Sequence, residues 1–159
     1  MIMTALAMTG FPVNVLMLSS YVAPNGSSGT QRPDLVRGVS LTPPGGRTVA
    51  EWINPAAFAT PAGEFGTASR DLARGPGTWQ IDLGASKTIP LAERGQLEFR
   101  SEFYNIFNHP QFGQPQSTFN PSNTNEFGSI INTVNTVSPV TPVGSGTPRE
   151  MQFALRLRF

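Results

Sequence analysis

The chain contains no cysteine. Disulfides, thiolate metal sites and thiol nucleophiles are therefore excluded. Histidine occurs once, at His109, and lysine once, at Lys87; every other basic residue is arginine. Charged residues make up 13% of the 159 positions, about half the usual share of a soluble domain. The net charge is +1 and no basic run or stripe exists, so nucleic-acid binding has no electrostatic footing. No apolar run reaches the ~18 residues that a transmembrane helix needs. The apolar start, residues 1–18, lacks the positive n-region of a signal peptide. The first cation of the chain is Arg32, and Gly10 and Pro12 interrupt the apolar start.

What is plentiful points the other way. Sixteen Gly and fifteen Pro break helices and disfavour a helical bundle. Eleven Phe and the low charge disfavour a solvated disordered tail. An all-β chain with long loops remains, or an incomplete part of one.

Period-two alternation predicts four strands, near residues 4–18, 78–88, 96–107 and 149–159. In the first, Val13, Val15 and Met17 alternate. In the second, Trp79, Ile81, Leu83 and Ala85 alternate with Gln80, Asp82, Gly84 and Ser86. In the third, Leu97, Phe99, Phe103 and Phe107 share one face, and Glu98, Arg100, Glu102 and Tyr104 the other. In the fourth, Met151, Phe153, Leu155, Leu157 and Phe159 oppose Gln152, Ala154, Arg156 and Arg158. A short break at 89–95 holds Pro90 and Gly95; long Gly-, Pro-, Ser- and Asn-rich stretches fill 19–77 and 108–148.

Segments of about ten residues with apolar-out, polar-in alternation, joined by alternating short and long connections, are the signature of an outer-membrane barrel. The expected fold is all-β, an antiparallel meander of about four long strands with long loops, an incomplete part of a transmembrane β-barrel. With a periplasmic C-terminus, 89–95 is a periplasmic turn, and 19–77 and 108–148 are extracellular. Trp79, Ile81, Leu83, Leu97, Phe99, Phe103 and Phe107 then face lipid. The sheet is expected to be open and curved, with poorly ordered loops. A short helix is expected near Pro55-Ala56-Ala57-Phe58, with Asn54 as its N-cap and Pro55 at its first position. A soluble half-buried strand gives the same alternation. The rival reading is thus a soluble or secreted β-sandwich module that binds glycan or protein through its loops.

Several stretches carry a resemblance. Trp52-Ile53-Asn54-Pro55-Ala56-Ala57-Phe58 resembles the "W-F-N-P-A-A-F" signature of Oar-like TonB-dependent receptors, which carry a carboxypeptidase-regulatory-like domain. Phe65-Gly66 and Arg74-Gly75-Pro76-Gly77 resemble the family's "F-G…R-G-P-G". Asp82-Leu83 with Lys87 resembles "D-L-S-x-x-K". Phe99 through Pro110 resembles "F-R-A-E-F-F-N-x-F-N-H-P", Pro148-Arg149 through Leu155 resembles "P-R-x-I-Q-F-A-L", and Gly10-Phe11-Pro12 fits "G-x-P-F". The matches follow in order and cover nearly the whole chain. The resemblance implies the C-terminal β-barrel segment of such a receptor, truncated or mis-started, since Met1 falls inside a strand and the plug is missing. It implies residence in the cell outer membrane and a role in transport. It also implies outer-membrane lipid, the barrel-assembly machinery, and the receptor's remaining strands and plug as partners. Met151, Phe153, Leu155, Leu157 and Phe159 resemble the C-terminal signal that the assembly machinery recognises.

No enzyme activity, catalytic residue, cofactor or metal is expected. Glu98 and Glu102 are four residues apart on a strand, about 13 Å, which is wide for paired glycosidase carboxylates; a compensated lumen-facing charge row is expected instead. His109, without Cys or a carboxylate cluster nearby, reads as a loop cap or turn residue. Arg70, Asp71 and Arg74 read as solvated loop charge. Gly75-Pro76-Gly77 is not followed by Lys-Ser/Thr, so no phosphate loop is present, and no Gly-x-Ser-x-Gly elbow occurs.

Overall fold

The computed structural model describes residues 1–29, 31–91, 95–134 and 148–159. Among these residues, strands dominate: β1 (Ile2–Met8), β2 (Pro12–Val13), β3 (Leu16–Met17), β4 (Asp34–Leu35), β5 (Phe58–Ala59), β6 (Ala73–Arg74), β7 (Thr78–Leu91), β8 (Gly95–Tyr104), β9 (Thr118–Phe119) and β10 (Glu150–Arg158). A three-residue 3-10 helix, Pro55–Ala57, joins them. The fold is all-β. The chain divides into two compact units, one of residues 1–9, 77–111 and 133–159, the other of 10–76 and 112–132.

The first unit is a four-stranded sheet in the order β1-β7-β8-β10. Every neighbouring pair is antiparallel. The sheet is open, because β1 and β10 are its outer strands and do not pair with each other. This is the expected meander of four long strands, with different boundaries. Residues 4–18 are not one strand: β1 stops at Met8, and Gly10 onward belongs to the other unit. β7 runs past Ser86 and Lys87 to Leu91, and its ladder with β8 continues to the Leu91–Gly95 pair. The expected break at 89–95 is thus mostly strand, and residues 92–94 of it lie outside the described residues. Pro90 is tolerated because β7 has no β1 neighbour beyond Gly84, and a sheet edge needs no N–H there. β8 ends at Tyr104, not Phe107. Asn105 takes a left-handed backbone, φ 48°, a conformation that Asn adopts more readily than most residues. Glu150–Arg158 replaces 149–159 in the last strand.

The second unit corrects the expectation of poorly ordered loops. Its described residues pack around Val13, Val15, Met17, Ile53, Ala57, Phe58, Ala73, Phe119 and Phe127. Val13, Val15 and Met17 alternate as expected, but they are buried here and do not form a barrel strand. Phe58, Phe119 and Phe127 form an aromatic triad with ring centroids 5.2–5.8 Å apart, a spacing that favours edge-to-face contact. Three two-residue ladders stitch the unit: β2 with β6 and β4 with β5 antiparallel, β3 with β9 parallel. Residues 135–147 of the second expected loop lie outside the described residues.

The expected helix is present as a single 3-10 turn. The Asn54 side chain accepts from Ala56 N at 3.0 Å, and Pro55 opens the turn. Asn54 Nδ2 also donates to Ser40 O at 2.9 Å, so the cap is held from two sides. Trp52 N donates to Gly128 O at 2.8 Å. Gly128 has φ 75°, and a Cβ there would lie 2.3 Å from Ile53 O, so no other residue fits. Gly10 and Gly75 form a second close approach: a Cβ on Gly10 would lie 1.8 Å from Gly75 O.

Candidate functional site

The register decides what the sheet presents. Because side chains alternate across a strand, residues paired in register share a face. Met3, Leu83, Phe103 and Met151 share one rung. Ala85, Ser101 and Phe153 share the next on that face; Lys87, Phe99 and Leu155 share another; Ile89, Leu97 and Leu157 follow. All strand residues expected to contact lipid or to signal assembly therefore fall on one face, apart from Phe159, which follows β10 and is fully exposed. Phe99, Phe153, Leu155 and Leu157 are 41–69% exposed. An isolated soluble sheet would bury such a face. Phe153 stacks on Phe99 at 6.2 Å and meets Phe103 edge-on at 5.9 Å, so the aromatics form a continuous strip.

Phe107 does not lie on a strand. It rejoins the apolar face by packing on Trp79, centroids 5.9 Å apart, and the His109 ring lies 4.4 Å from the same indole. This cluster stands on a polar network that sequence reasoning missed. Asn105, 1% exposed, donates from its backbone N to Asp82 Oδ1 at 2.8 Å. Its side chain donates to His109 O and accepts from His109 N, both at 2.9 Å. Gln111 bonds both backbone groups of Trp79. Asn108, also left-handed at φ 51°, accepts from Arg149 N at 2.9 Å. His109 thus follows the 105–108 turn, with its backbone held by the Asn105 side chain, a loop position of the expected kind. The available signal was the pair of asparagines just after an apolar strand.

The opposite face carries Gln80, Asp82, Glu98, Arg100, Glu102 and Tyr104, with Arg156 and Arg158 from β10. Arg100 pairs with Glu102 at 2.6 Å and Arg158 with Glu98 at 3.2 Å. Tyr104 donates to Glu102 at 3.3 Å. The expected compensated charge row is what this face shows. An open hollow of about 390 Å³ lies over it, bordered by Thr4, Asp82, Ser86, Glu98, Arg100 and Tyr104 among others. One strand departs from the rule: β1 puts Ile2, Leu6 and Met8 on the polar side.

In the second unit, Arg74 is not simply solvated. Its guanidinium donates to Gly10 O at 3.1 Å, and its carbonyl accepts from Trp52 Nε1 at 2.8 Å. Arg47 lies over the Trp52 ring at 5.5 Å, within cation–π range. Asp71 N donates to Asn14 Oδ1 at 3.0 Å. Among the described residues, no three His, Asp or Glu side chains are grouped to hold a metal. Among the described residues no helix is long and apolar enough to cross a membrane, which says nothing of crossing by strands.

Long antiparallel strands with one face apolar except at Lys87 and Ser101, and the other ion-paired across β8 and β10, are the material of a barrel wall. A family model described as an outer membrane beta barrel domain matches residues 3–152. The chain belongs to that family. No curated protein matches it, and neither does any solved structure.

Proposed function

We propose that the chain is the C-terminal barrel portion of a TonB-dependent outer-membrane receptor of the Oar-like type. It supplies a stretch of barrel wall, the extracellular segments 19–77 and 108–148, and the C-terminal assembly strand. The observation that carries the reading is the ordered set of family motifs from Gly10-Phe11-Pro12 to Pro148–Leu155. Several of these motifs fall on positions with tight geometric demands: Asn54 at its cap, Gly75 against Gly10, and Asn105 at the end of β8. The apolar face meets outer-membrane lipid. The polar face looks into the lumen, where the receptor's plug sits. The outer strands pair with the receptor's remaining strands. Met151, Phe153, Leu155, Leu157 and Phe159 engage the barrel-assembly machinery. The role is transport across the outer membrane, with no catalysis, cofactor or nucleic acid involved.

Immunoblotting fractions of the source cell, with an antibody to residues 19–77, tests this reading. The expected result is an outer-membrane band heavier than 159 residues. A band of 159-residue mass in the soluble fraction overturns it and supports a soluble loop-binding module instead.

A further inference from the structure

Lys87 is out of place. It is exposed and sits on the apolar face between Ala85 and Ile89, on the rung of Phe99 and Leu155. Among the described residues it has no ion-pair partner. At the middle of a bilayer a lipid-facing lysine is costly, whereas near an interface its cost almost vanishes. Its long stem can also run along apolar surface while the ammonium stays with water and headgroups.

The length of the face shows which end of the sheet the lysine marks. From Trp79 to Leu91 the face is about 40 Å long at the usual strand rise. With a barrel strand tilt of ~40°, that is about 30 Å along the bilayer normal, more than the ~25 Å apolar band. One end must therefore leave the hydrocarbon. Anchoring the band at the tip, near Leu91 and Gly95, puts Lys87 about 10 Å deep, farther than a lysine stem reaches. Anchoring it at Trp79 puts the opposite boundary close to Ile89, with Lys87 about 5 Å inside and able to reach out. Trp79, Phe107 and His109 supply the aromatic, half-polar cluster that suits the first interface.

Resting on the barrel reading, we propose that Lys87 is a lipid-phosphate anchor that fixes how deep the sheet sits. Its ammonium binds phospholipid headgroup phosphates on the β7–β8 hairpin side. Trp79 and Phe107 mark the other interface, and Leu91, Gly95 and Phe159 lie among the headgroups.

These 159 residues hold no cysteine; one introduced at Leu83 or Leu91 and labelled with an environment-sensitive fluorophore, read against the equally labelled unsubstituted protein, reports its own depth. The intact membrane protein is placed in phosphatidylglycerol–phosphatidylethanolamine vesicles with brominated acyl chains. The expected result is several-fold stronger quenching at Leu83 than at Leu91. Lys87→Met is expected to let the sheet slide and raise quenching at Leu91, and Lys87→Arg to restore the original profile. Equal quenching at the two positions, or a profile unchanged by Lys87→Met, overturns the anchor while leaving the barrel intact. Quenching at neither position overturns the barrel reading as well. The unsubstituted profile tests the placement even if Lys87→Met fails to fold.

Discussion

At the residue scale, stability concentrates in a few buried polar groups and close backbone approaches. Asn105 holds three hydrogen bonds to Asp82 and His109 from a left-handed backbone. Asn105→Ala forces an alanine into that conformation and leaves buried partners unpaired. It is expected to destabilise the sheet by about 3 kcal/mol, read as a lower urea midpoint in lipid vesicles. Asn105→Gly keeps the backbone geometry and is expected to lose less. Gly10→Ala is a harsher steric test, since the added methyl lies against Gly75 O. A loss of about 2 kcal/mol or more is expected, seen as faster proteolysis within residues 10–76. Local pattern marked Asn105 only as one of two asparagines after an apolar strand, and Gly10 only as a break in the apolar start, because Asn and Gly mark turns throughout this chain and only the partner across space gives one of them its task.

At the element scale, the faces of β8 and β10 were legible residue by residue. Strict alternation leaves one way to keep every apolar side chain together, and the register takes it. Adjacent residues on β10 are thus expected to respond oppositely. Phe153→Arg, on the apolar face, is expected to cost about 2–4 kcal/mol near the bilayer midplane. Gln152→Arg, across from Glu102, is expected to change stability by well under 1 kcal/mol. Urea unfolding of the two variants in the same vesicles checks this; equal losses would show that the faces are not differently solvated. Strand ends were less legible. β7 outruns Pro90 because its edge there needs no donor, and β8 stops early because Asn105 turns left-handed. In both cases the deciding feature is a neighbour, or a missing neighbour, on another strand.

At the scale of the whole molecule, the largest departure from expectation is the second unit. Its core residues come from positions as distant as Val13, Ile53, Ala73 and Phe127. Apart from the alternation of Val13, Val15 and Met17, no local window contains a repeat that would announce them, and the Gly- and Pro-rich stretches between them look like loops. Two places gave a local sign: the Val13, Val15, Met17 alternation, which reads as a barrel strand but lies in this core, and Asn54-Pro55, which produced the turn it promised. Because these segments are packed, limited proteolysis of the folded protein is expected to spare residues 31–76 under conditions that cleave the unfolded chain at once. Rapid cutting between Arg32 and Arg74 would show that the packing does not persist.

The order of the sheet also has a kinetic consequence. Leu91 pairs with Gly95, but Tyr104 pairs with Glu150, and Met8 with Thr78. The β7–β8 hairpin is therefore the one part of the sheet that can zip up before distant segments meet. The entropy of closing a loop grows slowly with length, which favours β10 joining before β1. The sheet is thus expected to grow outward from its middle hairpin. In that order β10 is free while the hairpin forms, and its unpaired amides and carbonyls are open to any other sheet edge that reaches them first.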